Sequence, residues 1–231
     1  VFASSQSIYG IAKGVVCEDS PLNPMTHYAK SKIMAENKIS QLADNNFSPV
    51  FLRPSTVNGV SPMLRLDIVL NNLVAWAFTT GKICILSGGN QWRPTMHIED
   101  VSKAFIAALE SPRGLVYNQA FNVGRNDDNY RIKDMADKIK EVISGSEVEY
   151  AYHDDSDSRT YRVNFDKINT RLTDFFKPKR SIEESIIELY EAFRKHRLSY
   201  EEFMGNKYIR LNQLKKLIKE KKLDKNLFWK Q

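Results

Sequence analysis

Tyr28 and Lys32, in the stretch YAKSK, stand four residues apart, the spacing that puts two side chains on one face of a helix. An ammonium beside a phenol favours the phenolate and draws its pKa down from about 10 toward the range of a working proton-transfer group. The spacing alone is not selective. With 10 tyrosines in 231 residues and lysine at about one residue in ten, roughly one Tyr-x-x-x-Lys pair arises by chance, and Tyr9 with Lys13 in YGIAK forms a second. Context separates the two: Gly10 directly after Tyr9 marks a turn, whereas Tyr28 falls in the first turn of a well-patterned helix. A hydroxyl donor near such a tyrosine would polarise an alcohol oxygen. Ser5, at the end of the opening run VFASS, is placed for this if the sheet sets that end beside the helix. A serine at a strand end is more often a turn former, so Ser5 gains weight only together with Tyr28 and Lys32.

Strands must alternate with helices to position these groups. VFASS is a short apolar run ending in small polar residues, the form of a parallel strand whose carboxyl end reaches a ligand crevice. A helix is expected from about Thr26 to Asn45, then a buried strand in SPVFLRPS closed by Pro54. LDIVLNNLVAWAFTTG reads as a helix ending at Gly81, followed by the strand KICIL and the turn SGGN. TMHI runs into the helix EDVSKAFIAALES, which Pro112 ends. QAFNVG is a strand, RIKDMADKIKEVISG a helix and SEVEYAY a strand. This order argues for a parallel α/β sheet with helices on both faces. From Ser181 onward the chain has no strand pattern and is rich in lysine, which predicts two or three packed helices.

Composition sets the bounds. The chain is 42% hydrophobic and 11% aromatic, enough for a sizeable core. Its formal charge of +6 suits an anionic ligand, though such a surplus is equally a solvated surface. The basic C-terminal segment reads as a solvated helical face rather than as a nucleic-acid or membrane contact. Cys17 and Cys84 are isolated, which argues against zinc or a disulfide framework and for a reducing cytoplasm, with both thiols as small core residues. No apolar run approaches the length of a membrane span.

Six segments in register, VFASSQSIYG, PLNPMTHYAKSKIMAE, PVFLRPSTVNG, WRPTMHIEDVSKAF, AFNVG and YRVNFDKI, resemble the extended short-chain dehydrogenase/reductases of the nucleotide-sugar epimerase/dehydratase type. The resemblance runs from Val1 to about Arg180. It implies a Rossmann-type fold with a small substrate lobe over residues 1–180 and a helical tail over 181–231. It also implies hydride transfer between a sugar carbon, C4 for preference, and NAD or NADP. On that resemblance Tyr28 is the general acid/base, Lys32 holds the nicotinamide ribose and lowers the Tyr28 pKa, and Ser5 hydrogen-bonds the same substrate oxygen. Arg93 matches an arginine that contacts the nucleotide diphosphate, a role its donor fork suits, with a surface ion pair as the equal alternative. His97 is a candidate substrate contact or a packed residue, and Asp100 a helix cap or a dipole-stabilising residue of the first turn. The partner implied is a nucleotide-diphosphate sugar, and the full-length assembly a homodimer through the Tyr28 helix.

Departures from the pattern sharpen the expectation. Sugar 4,6-dehydratases of the family carry Thr-Asp-Glu where this chain has Ser5, Gln6 and Ser7, and Gln6 and Ser7 cannot supply both an acid and a base for water elimination. A catalytic cysteine found in one double-epimerising subgroup is also replaced, by Ser7. Thr56 stands where a substrate-contacting Asn is usual, with Asn58 two residues on. No G-x-x-G-x-x-G spacing occurs in the sequence, so the cofactor-phosphate turn of the family has no counterpart here. Since the sequence also begins without Met, it is expected to be a fragment starting near the fifth strand of the sheet, inactive by itself. The reading is an NAD(P)-dependent epimerase or ketoreductase. A non-catalytic sensing or interaction module of the same fold is the alternative.

Overall fold

The structure is a computed structural model and describes residues 1–151 and 158–230. The first half runs β1 (Phe2–Ala3), a 3-10 turn (Gln6–Tyr9), β2 (Ile11–Val16), α1 (His27–Ser40), β3 (Val50–Pro54), β4 (Thr56–Asn58), α2 (Val69–Thr80), β5 (Lys82–Ile85), β6 (Trp92–His97) and α3 (Ile98–Glu110). Next come α4 (Arg113–Val116), β7 (Gln119–Val123), β8 (Asn129–Arg131), α5 (Ile132–Val142), β9 (Glu147–Tyr150), β10 (Thr160–Val163), α6 (Asp166–Arg171), α7 (Ile182–Lys195), α8 (Tyr200–Met204) and α9 (Arg210–Lys219).

The expected parallel α/β arrangement is present. β3 lies between β1 and β7 in an all-parallel sheet, with Phe51 opposite Phe2 and Leu52 opposite Phe121. Successive side chains of β3 point to opposite faces. Val50 and Leu52 pack with Val101 and Ala104 of α3 and Ile168 of α6, while Arg53 on the other face meets Glu36 of α1. Helices therefore cover both faces. Smaller pairings complete the fold: β4 with β6, β5 with β9 and β2 with β10 are parallel, and β8 is antiparallel to β6.

A second core lies around α2, β5 and α5, where Leu70, Val74, Ile83 and Ile139 are buried together with Ile186 and Leu189 of α7 and Phe203 of α8. The segment beyond Arg180 is thus divided. α7 and α8 are built into this lobe, whereas α9 buries no residue. Tyr152, the last residue of the expected SEVEYAY strand, lies outside the described residues.

Local chemistry sets the ends of the helices. The Thr26 Oγ1 accepts the Ala29 N–H at 3.1 Å and starts α1, which stops at Ser40, short of the expected Asn45, because the Asp44 carboxylate captures the Asn46 and Phe47 N–H groups in a tight turn. Gly81 ends α2 in the left-handed conformation at φ +73°. Ser181 and Glu184 form a reciprocal cap at the start of α7. Cys17 and Cys84 are both free and half-buried rather than core residues. Among the described residues, no helix is long and apolar enough to cross a membrane.

Candidate active site

β1 ends at Ala3, and the Ser4 N–H continues the ladder to the Leu52 carbonyl at 2.7 Å. The chain then turns sharply. Ser5 caps the 3-10 turn, its Oγ accepting the Ser7 N–H at 3.2 Å. Opposite stands the first turn of α1. Tyr28 is 54% exposed there, and Lys32, one turn on, donates from Nζ to the Ala3 carbonyl at 2.7 Å. The same ammonium lies 5.4 Å from the Tyr28 ring centre and 5.0 Å from that of Phe2. Lys32 therefore ties the Tyr28 helix to the end of the strand that carries Ser5 two residues later. A phenol open to solvent with a cation beside its ring is of the type that can move a proton to or from an alcohol or ketone oxygen.

The carboxyl ends of the strands are polar beyond their local needs. The Oγ atoms of Ser4, Ser7 and Ser55 are buried without a hydrogen-bond partner; Ser4 follows β1 and Ser55 follows β3. Ser4 and Ser55 thus sit just past the carboxyl ends of two neighbouring parallel strands, the edge at which open α/β sheets bind ligands. Gln6, by contrast, is committed to the fold, its Nε2 donating to the Arg53 carbonyl at 3.0 Å.

Thr56, Asn58, Arg93 and His97 form a second group on the β4–β6 pair, where Thr56 faces Thr95 and Asn58 faces His97. Asn58 donates from Nδ2 to the Thr95 hydroxyl at 2.7 Å, and that hydroxyl donates to the Thr56 carbonyl at 3.0 Å. Arg93 is buried; its Nη1 donates to the Trp92 carbonyl at 3.0 Å and to that of Arg159. His97 caps α3, its Nδ1 accepting the Glu99 N–H at 3.2 Å. That bond leaves the proton on Nε2, which donates to Glu188 of α7. Asp100 does not cap its own helix: its Oδ2 accepts the N–H groups of Lys179 and Arg180 at 2.9 and 2.8 Å, pinning the chain just before α7.

Sequence reasoning overlooked a buried polar network beside the site. Arg53 donates to Glu36 through Nε at 3.0 Å and Nη2 at 2.6 Å, and through Nη1 to the Tyr9 hydroxyl at 3.2 Å and the Glu18 carbonyl at 3.0 Å. Tyr9 in turn donates to Asn122 Oδ1 at 2.8 Å, and Glu18 accepts the Asn122 N–H at 2.7 Å. Burial pushes the Tyr9 hydroxyl up to about 12, so the second Tyr-x-x-x-Lys tyrosine is a neutral structural donor. Burial also raises the Glu18 carboxyl. It works against the Arg53 charge as well, but the bonds to Glu36 and Tyr9 more than offset it and the net shift is upward. The signal available in the sequence was Glu36 itself, one further turn along the stripe of Tyr28 and Lys32.

Residues 1–124 match the model of a family described as the NAD dependent epimerase/dehydratase family. The chain is 31% identical over 126 residues to an uncharacterized UDP-glucose epimerase of Bacillus subtilis, covering 54% of this chain and 38% of that protein. It is 26% identical over 222 residues to the UDP-glucose 4-epimerase of Lactobacillus helveticus, covering 87% of this chain and 66% of that protein. Among solved structures, the UDP-glucuronic acid 4-epimerase of Bacillus cereus in complex with UDP-glucuronic acid and NAD has the same fold, with a TM-score of 0.72 at 23% identity over 84% of this chain and 60% of that one. The chain thus spans between 38% and 66% of the length of these relatives.

Proposed function

Because the chain belongs to the NAD dependent epimerase/dehydratase family, we propose that it provides the catalytic side of a nucleotide-sugar epimerase or ketoreductase, with Tyr28 as the general acid/base. The observation that carries this reading is the junction of α1 with β1. Lys32 is fastened to the Ala3 carbonyl beneath Tyr28, and Ser5 follows at the strand end.

In this reading Tyr28 takes the proton from a sugar hydroxyl, at C4 for preference, as its carbon is oxidised, and returns it on reduction. Ser5 holds the same oxygen, and Lys32 stands beside the Tyr28 ring. NAD, when bound, supplies the hydride acceptor and donor. The residues present fit its nicotinamide-ribose end: Lys32 keeps donor capacity beyond the Ala3 bond, and the unpaired Ser4 and Ser55 hydroxyls line the strand ends. They do not supply a cradle for its pyrophosphate, since the 10 glycines include no G-x-x-G-x-x-G set.

Elimination of water from the sugar is disfavoured in this reading, because the Gln6 amide is held by backbone carbonyls and Ser7 has no ionisable group. Thr56, Asn58, Arg93 and His97 would form the substrate-side wall, taking a UDP-sugar of the kind that the named relatives act on. The two unpaired cysteines suit the cytoplasm. The outer face of α1, where Met34 is 66% exposed, is the surface for homodimerisation.

The test is Tyr28→Phe in the intact protein, assayed on a panel of UDP-sugars for epimerised product and for net NADH consumption. Turnover should fall by about 10²- to 10⁴-fold while sugar-nucleotide binding persists. Unchanged turnover refutes the assignment, and the NADH balance separates epimerase from reductase.

A further inference from the structure

Tyr28, Lys32 and Glu36 stand at i, i+4 and i+8 and so lie along one stripe of α1. The first two project into the proposed site; the third is 7% exposed and grips Arg53. We propose that the Glu36–Arg53 pair is a positioning device that fixes the rotation and axial register of α1, and through them the place of Tyr28 and Lys32. The inference rests on the reading of Tyr28 as acid/base.

Four observations carry it. First, α1 is poorly specified by apolar packing. Its buried residues are Ala29 and Glu36 alone, Ile33 and Ile39 are half-buried, and Met34 is exposed. Ala29 is small and smooth, so apolar packing alone sets the register of this helix only weakly. Second, the Glu36 contact is bidentate, with both carboxylate oxygens on separate guanidinium nitrogens. A planar fork of this kind has one good geometry, which is the property needed to choose one register.

Third, Arg53 is itself held on several sides. Its strand lies between two others, and its Nη1 is held by the Tyr9 hydroxyl and the Glu18 carbonyl. Tyr9 is fixed in turn by Asn122 on β7. The anchor therefore refers α1 to β3 and β7, the strands beside the crevice. Fourth, a buried ion pair is a weak source of net stability, because desolvation consumes much of its Coulomb energy. Its presence where an apolar pair would pack is better accounted for by geometry than by stability. Glu36 sits about 12 Å along the axis from Tyr28, and a slip of one residue turns the helix by roughly 100°. Errors of about 1 Å in placing a catalytic group cost on the order of a hundredfold in rate.

The decisive variant is the double replacement Glu36→Met with Arg53→Met in the intact protein, which removes both charges and leaves neither unpaired. Arg53→Lys is the milder companion, keeping the charge but not the fork. Each is read by urea unfolding, by kcat and KM on a UDP-sugar, and by the ¹³Cζ tyrosine NMR signal of Tyr28, identified by its loss in Tyr28→Phe. The double variant also takes the Nη1 donor from the Tyr9 hydroxyl and the Glu18 carbonyl, so it should unfold cooperatively at a lowered midpoint, yet lose at least tenfold in kcat beyond its unfolded fraction, with KM within about twofold, and its Tyr28 signal should shift or broaden. Arg53→Lys should move kcat and the signal in the same sense.

A folded double variant with parental kcat and an unmoved Tyr28 signal overturns the proposal, as does a loss of activity matching only the unfolded fraction. Should the double variant fail to fold, Arg53→Lys decides by the same two readings. If Tyr28→Phe keeps full turnover, the acid/base reading has failed, and the NMR signal alone decides whether the pair positions the helix.

Discussion

Replacing Gly59 by alanine probes the corner where the proposed substrate wall meets α7. Gly59 has φ +95°, and a Cβ built on it would fall well under 3.0 Å from the His97 imidazole. Neither partner can give way easily. The Gly59 N–H donates to Asn71 Oδ1 at 3.2 Å, and His97 is held by the Glu99 N–H on one nitrogen and by Glu188 on the other. The backbone contribution for a residue with a side chain at such a φ is about 1–3 kcal/mol, and forcing a methyl into packed space adds about 1–3 kcal/mol. After partial relaxation the expected loss is about 3 kcal/mol, or a fall in Tm of roughly 6–12 °C for a chain of this size. Urea unfolding of Gly59→Ala with an unchanged m-value measures it. Repeating the substitution in a His97→Ala background removes the collision but not the backbone strain, so the cost there should shrink by about 1–2 kcal/mol. A Gly59→Ala protein within about 0.5 kcal/mol of its parent, or an equal cost in both backgrounds, refutes the reasoning.

Thr26→Ala removes the cap of α1 and should cost about 1 kcal/mol. Because the frayed turn carries Tyr28, kcat should drop by more than the unfolded fraction accounts for, as a paired activity and urea assay can tell. Hydrogen bonds from Lys103 and from Arg180 hold the Glu99 carboxyl at about 2 rather than its usual 4.5. A depressed carboxyl stabilises the fold above its unfolded pKa and ceases to do so as the pH falls through the folded one, so the junction of α3 with the start of α7 should weaken between pH 4.5 and about 2. Measured against the intrinsic exchange rate at each pH, protection of the Arg180 and Ser181 amides should fall in that window, and Glu99→Gln should abolish this part of the acid response. On the face of α1 proposed for homodimerisation, Met34→Glu should move sedimentation of the intact protein toward the monomer.

The long elements were legible because their signals are local. The apolar run of β3, the glycine at the end of α2 and the proline after α3 each act within a few residues. β2 was missed because it has little pattern to read. Ile11, Lys13, Gly14 and Val15 are all exposed, and the strand exists through its pairing with β10, itself only Thr160–Val163. Tyr28, Lys32 and Ser5 could be picked out as types and spacings, but that Lys32 reaches the Ala3 carbonyl depends on how a helix and a strand meet. The arginines illustrate the limit most clearly. Arg93, a candidate for the diphosphate or for a surface ion pair, is buried with Nη1 on two backbone carbonyls, while Arg53, unremarked in the sequence, sits at the centre of a buried network. Neither fate is written in neighbouring residues. The partners of Arg53 come from α1, the 3-10 turn and the loop at Glu18.

The pairing of β2 with β10 also bears on the order in which the molecule assembles. Thr160 meets Ile11 across about 150 residues of intervening chain, and a contact of that span yields its enthalpy only after nearly all the closure entropy has been lost. The β1–β3–β7 sheet with α3 and α6 spans shorter loops and can form first, so the β2–β10 ladder closes on a framework already in place. Tyr9 lies next to that ladder, against Tyr161. On this ordering the floor beneath α1, the helix that carries Tyr28, should be finished late, once Ile11–Val16 and Thr160–Val163 have paired.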